Sequence, residues 1–184
     1  MKVTNIKDFL IVKDNFFEEK VYNQILYDIS RLNFQSRYNT SREEDKNIYQ
    51  KIYFNVPLNK NHFAVQEVFK ILSEYGLNLV STEHNYFLST KHKKASPHTD
   101  HSDVNCLVYL KGINILNSGT GFYHKENDEL VLNRHIGFKE NRALIFDSKI
   151  FHTSLQFNDV TATRYVMANF FKYKNTKMED KNNV

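Results

Sequence analysis

After residue 78 the chain becomes a series of short β-rich runs, and that pattern constrains its fold more than any other feature. Runs around Tyr86-Phe87-Leu88, 106–110, 120–123, 129–132, 143–146 and 165–173 follow one another at short intervals. Such spacing argues for a sandwich or a barrel. The first 77 residues read differently. Residues 6–12 suit a short strand. Asp14 or Asn15 would then cap an amphipathic helix carrying Phe16, Phe17, Val21, Ile25, Leu26 and Ile29. Residues 36–49 are polar and read as loop, and Ile52-Tyr53-Phe54 as a strand. A second helix over 61–75 should bury Phe63, Val68, Phe69 and Leu72 and end near Gly76. With no repeat and no linker, residues 1–184 form one expected domain: strand and helices to 77, a β core over 78–173, and a polar tail over 174–184.

Composition narrows the setting. A chain of 184 residues, 41% hydrophobic and 25% charged, can bury one good core. No apolar run approaches the roughly 20 residues that cross a bilayer. The opening MKVTNIKDFLIVKD breaks its apolar residues with charges, unlike a signal peptide. The single cysteine, Cys106, excludes an internal disulfide framework and suits a reducing cytosol, so the expected location is cytoplasmic. It reads as a small buried hydrophobe. The net charge of +4 and pI near 9.0 would suit an anionic partner, but a solvated lysine-rich surface accounts for them as well.

The chemistry concentrates around Pro97-His98-Thr99-Asp100-His101. On an extended strand His98 and Asp100 share a face, so an imidazole and a carboxylate can reach one ion. His101 would face the other way. A third ligand is available in His152, just beyond the apolar run Ala143-Leu144-Ile145-Phe146. Two histidines and one carboxylate leave three open positions on an octahedral metal, an arrangement suited to non-haem iron(II). Asp147 could orient His152 or cap the strand end. Arg164 opens another apolar strand, and an arginine facing a barrel interior needs an anionic partner. A dicarboxylate could supply it; an internal ion pair or an exposed arginine are the competing readings. The run Lys91-His92-Lys93-Lys94 reads as a solvated loop or a lid that attracts anions. Phe122, Tyr123, Phe170 and Phe171 read as core.

From Tyr86 to Phe171 the chain resembles the 2-oxoglutarate- and iron(II)-dependent oxygenases of the prolyl-4-hydroxylase type. The similar pieces are the strand at Tyr86, His98-Thr99-Asp100, Val108-Tyr109-Leu110-Lys111, the turn-like Ser118-Gly119-Thr120-Gly121-Phe122, Asn141 to Phe146, His152, and Ala162-Thr163-Arg164-Tyr165-Val166. The opening residues 9–17 resemble that family's usual strand-then-helix start. The resemblance implies a jelly roll, or double-stranded β-helix, with the N-terminal helices packed outside. It implies that His98, Asp100 and His152 bind Fe(II), that Arg164 pairs with the distal carboxylate of the cosubstrate 2-oxoglutarate, and that Tyr109 donates to the same carboxylate. Tyr86 would contact cosubstrate or substrate. The implied activity is a dioxygenase that consumes dioxygen and hydroxylates a protein side chain or a small molecule, with release of succinate and carbon dioxide.

Two other readings differ in class. One is a jelly-roll binding module without turnover, for nucleic acid, which the basic pI favours and the intact triad with Arg164 disfavours. The other is a zinc hydrolase with the pattern H-x-H-x-D-H, but the first histidine position is Ser96.

Overall fold

Alternation of side chains along each strand gives this fold two different sheet faces, and the pairing registers show which residues each face receives. The computed structural model describes residues 9–36, 53–81, 84–91, 96–114, 116–156 and 163–174. In chain order the strands are β1 (Leu10–Lys13), β2 (Gln35–Ser36), β3 (Tyr53–Leu58), β4 (Leu79–Ser81), β5 (Asn85–Lys91), β6 (Val104–Lys111), β7 (Ser118–Glu126), β8 (Glu129–Gly137), β9 (Arg142–Asp147), β10 (Phe151–Gln156) and β11 (Thr163–Tyr173). Helix α1 (Glu19–Ser30) follows β1, and helix α2 (Phe63–Glu74) follows β3.

The larger sheet runs β1-β9-β6-β11-β5-β3-β2, with β4 also on β11, and the smaller runs β10-β7-β8. Neighbouring strands are antiparallel throughout. This is a double-stranded β-helix.

One face of the larger sheet carries Val104, Cys106, Val108, Ala143, Ile145, Met167 and Phe171. There it meets Ile25 and Ile29 of α1 and Ala64, Val65, Val68 and Leu72 of α2. Both helices therefore pack outside the β core, their apolar stripes spent on this face. The other face carries Tyr109, Leu144, Phe146 and Val166, which pack with Phe122 of the smaller sheet and with Phe138. Phe122 meets Phe146 edge-on, with ring centroids 5.1 Å apart. The space between the sheets is thus closed by aromatics at one level and left to polar groups elsewhere. No described helix is long and apolar enough to cross a membrane.

Several local expectations change. Helix α1 begins at Glu19 after Glu18, which makes no side-chain cap, so neither Asp14 nor Asn15 is its N-cap. Asn15 takes a left-handed conformation (φ 50°) instead. Phe16 and Phe17 are buried ahead of the helix. Asn141 (φ 57°) fastens that stretch: it bonds both the amide and the carbonyl of Phe17 at 2.9 Å, and its own amide donates to the Tyr109 carbonyl. Phe63 is exposed at the first turn of α2, and Phe69 is only partly buried, while Val68 and Leu72 are buried as expected. The larger sheet also draws on β1, β2 and β3, so strands before residue 78 extend the β core. Residues 37–49, Ile52, the run 92–94 and the tail beyond 174 lie outside the described residues.

Asp14 acts at long range. Its carboxylate meets Arg142 Nε at 2.6 Å and Lys139 Nζ at 2.8 Å, fastening the end of β1 to β9 and the turn before it. Those two cations hold its carboxyl far below the usual range. Because the pair is partly exposed, Asp14→Asn should cost only about 1 kcal/mol in urea unfolding at neutral pH. A lowered folded-state value means the contribution is complete above about pH 4 and drains away as pH falls further. Wild type and variant should therefore converge in stability in acid, and a gap that persisted there would point to packing rather than charge.

Candidate metal centre

His98 lies outside any continuous strand, yet its backbone is fixed. It forms an isolated bridge with His152: the His98 amide donates to the His152 carbonyl at 3.0 Å, and the His152 amide returns the bond at 2.9 Å. Two residues on, the Asp100 amide donates to the Ser148 carbonyl at 3.0 Å. The same-face relation expected of a strand is thus delivered by separate backbone anchors. His152 itself stands in β10, a strand whose polar content hid it from the sequence pattern.

These anchors bring the three side chains together. Ligand atoms of His98, Asp100 and His152 all lie within 4.8 Å of one another. His152 Nε2 is 3.2 Å from Asp100 Oδ2, and His98 Nε2 is 4.0 Å from Asp100 Oδ1. Each ring is oriented through its other nitrogen. His152 Nδ1 faces the Ile150 carbonyl at 2.9 Å and His98 Nδ1 faces the Ser96 carbonyl at 3.2 Å. A carbonyl can only accept, so both Nδ1 atoms carry the proton and both Nε2 atoms turn toward the carboxylate. Burial pushes the Asp100 carboxyl up, but the hydrogen bond and charge from His152, the charge of His98 and the Asn105 amide outweigh it. The result lies below the ordinary carboxylate value. Two imidazoles and one carboxylate, arranged around one point, are a donor set suited to a divalent iron.

A second polar group lies further along the same strand. Ser154 is two residues past His152 and on the same face of β10, about 7 Å along it. Arg164, at the start of β11, is buried, and its guanidinium donates to Ser154 Oγ, to the Gly119 carbonyl at 2.6 Å and to Ser118 Oγ at 3.3 Å. Tyr109, fully buried on β6, donates to Thr120 Oγ1 at 2.7 Å and stacks on Phe138 at 4.8 Å. Burial raises its phenol, and the nearby positive charge of Arg164 only partly offsets this, so the hydroxyl stays protonated. Gly112 makes the crowding possible, since a Cβ there would meet Phe138 Cζ at 2.9 Å and Arg164 Cβ at 3.2 Å.

Other expected residues fall in distinct places. Tyr86 pairs with Ala168, so it shares the site-facing side of the larger sheet. It sits four residues from Arg164 along β11, about 13 Å, with its ring edge-on to Phe170. The structure does not bring it to Arg164 and Tyr109. His101 is exposed and outside the cluster. Asp147 accepts the Lys149 amide, closing a turn, while the Ile150 carbonyl orients His152. The turn-like Ser118 to Phe122 is part of β7; Gly119 is needed because any Cβ would collide with the Ile136 carbonyl. Asn105, Ser118, Thr120 and Ser154 were not anticipated. Ser154 could have been found from His152 by the two-residue period, and Asn105 as a lone polar residue in an apolar strand.

No protein-family model and no curated protein matches the chain. Solved structures do resemble it. HygX from Streptomyces hygroscopicus, with nickel, 2-oxoglutarate and hygromycin B bound, superimposes with TM-score 0.63 at 13% identity, covering 90% of this chain and 83% of that one. A Trichoplax adhaerens prolyl hydroxylase in complex with a hypoxia-inducible factor peptide fragment gives 0.58 at 13% identity over 89% and 83%. A Pseudomonas putida prolyl-4-hydroxylase gives 0.56 at 11% identity over 91% and 94%. At such identities the likeness establishes the fold.

If the cluster holds a metal, Asp100→Ala should abolish saturable Co(II) binding, followed by visible absorbance, while the far-ultraviolet circular dichroism of the protein stays unchanged. A variant that bound Co(II) like wild type would remove Asp100 from the ligand set.

Proposed function

We propose that the protein is an iron(II)- and 2-oxoglutarate-dependent dioxygenase that hydroxylates a protein side chain or a small molecule. The observation that carries this reading is the pairing of two polar sites on one strand. His152 belongs to a two-histidine, one-carboxylate cluster, and Ser154, two residues further along the strand, touches a buried arginine. The solved structures of similar fold include one with nickel and 2-oxoglutarate bound, which agrees with this assignment.

In this reading His98, Asp100 and His152 hold the iron through three positions and leave three for ligands. Iron(II) with 2-oxoglutarate couples oxidative decarboxylation of the cosubstrate to succinate with hydroxylation of a substrate C–H bond by dioxygen. The rest is the protein's work. Arg164 takes the distal carboxylate with its planar fork. Tyr109, kept neutral, supplies a further donor at the same end. Phe122 and Phe146, packed against His152, exclude water from that side of the cluster. Tyr86 and Phe170 line the metal end of the larger sheet and face the substrate rather than the cosubstrate carboxylate. A nucleic-acid binding module would have no use for inward-turned Nε2 atoms around a carboxylate.

Adding 2-oxoglutarate to the anaerobic Fe(II) protein should produce a charge-transfer absorption band, and its titration measures cosubstrate affinity. Arg164→Met should weaken that affinity by about 2 to 5 kcal/mol, roughly 30- to 4,000-fold, with Fe(II) affinity nearly unchanged. Arg164→Lys should be milder, keeping the charge and losing the fork. Equal 2-oxoglutarate affinity in wild type and Arg164→Met would sink the cosubstrate assignment, and no succinate release under any condition would sink the activity.

A further inference from the structure

The Asp100 carboxylate is held by more than the two histidines. Asn105 Nδ2 donates to Asp100 Oδ2 at 2.6 Å, and Asn105 is fully buried on the site-facing side of β6. The acceptor-only carboxylate sets which end of the amide faces it, and Ser102 Oγ, donating to Asn105 Oδ1 at 2.6 Å, pins the other end and so holds the amide plane. Ser102 is held in turn: Ser148 Oγ donates to the Ser102 carbonyl, and the Ser148 carbonyl accepts the Asp100 amide. The chain of bonds closes on itself, from Asp100 through Asn105, Ser102 and Ser148 back to Asp100. Every member except Asp100 is buried, where a half-satisfied network would be costly.

We infer that Asn105 is a positioning residue that restricts Asp100 to a single-oxygen hold on the metal. The inference rests on reading the triad as a metal site. A carboxylate can grip a cation through one oxygen or through both. The second mode needs the carboxylate plane to swing so that both oxygens face the ion. The Asn105 amide occupies a lone pair of Oδ2 and fixes that plane, so the swing breaks a charge-assisted bond inside a closed, buried loop. The consequence is a count of positions. A one-oxygen carboxylate leaves three on an octahedral ion, enough for a two-toothed cosubstrate and dioxygen together. A two-oxygen carboxylate leaves two, enough for the cosubstrate alone.

The test uses the intact protein loaded with Mn(II), whose exchangeable bound waters are counted from solvent-proton relaxation. Wild type should hold about three. Asn105→Leu removes both amide bonds and should lower the count by about one, with a roughly 10- to 100-fold change in Mn(II) affinity. Ser102→Ala keeps the bond from the amide to Asp100 but releases the amide's other end, and should fall between. A merely structural role would move the thermal midpoint of the metal-free protein without moving the water count. If Asn105→Leu does not fold, Ser102→Ala decides alone. Wild-type water counts and affinities in the folded variants would overturn the role of Asn105 and leave the metal site standing. Failure of wild type itself to bind Mn(II) saturably would overturn the reading of the triad.

Discussion

Two backbone hydrogen bonds between His98 and His152 determine where everything else in the site can be. Without them the segment from Ser96 to Asp103 would be a loop between β5 and β6, free to place its side chains anywhere. With them it becomes a one-residue extension of the smaller sheet, alongside β10. Both carbonyls that orient the imidazoles come from residues two positions before the rings, so fixing the backbone also fixes the ring planes. Local geometry does the work that a longer strand would do elsewhere.

The larger sheet plays a complementary part. Its outer face is given over to α1 and α2, whose apolar residues meet Val104, Cys106 and Val108. That leaves the alternate residues of the same strand, Asn105, Leu107 and Tyr109, for the interior between the sheets. One strand therefore supplies core on one side and, on the other, both the group beside Asp100 and the phenol near Arg164. The burial of Arg164 is tolerable because hydroxyls and a carbonyl from β7 and β10 meet its fork.

Much of this could be read from the sequence, for physical reasons that differ by residue. The grouping of His98, Asp100 and His152 and the interior place of Arg164 were legible because ligand spacing and the cost of a buried cation are local or nearly local statements, whereas Tyr109 entered only through the family resemblance. β10 was not legible, because polar His152 and Ser154 face the site while polar Thr153 occupies the other face, so the run shows no apolar alternation. Asp14 was misread for a different reason. A carboxylate ahead of a helix ordinarily caps it, but here its partner Arg142 is 128 residues away, and no local pattern contains that. Phe63 lost its expected place because the helix starts with it, so its side chain faces outward before the apolar stripe begins. Asn105 was visible as a polar interruption of an apolar run, but its partner became identifiable only when β6 and residue 100 stood side by side.

The three candidate ligands are unequally sheltered. His152 has 7% of its side chain exposed and Asp100 22%, but His98 has 51%. A buried ligand pair with one exposed member sets an order for loading and release. In the proposed reading, an ion arriving from solvent would meet His98 first, and an ion leaving would detach from the more sheltered pair last. His98 is also the ligand that competing chelators and oxidants reach most easily. Ageing of the site, by stripping of the ion or by chemical damage to a ring, would begin at the imidazole on the rim and spare the one in β10.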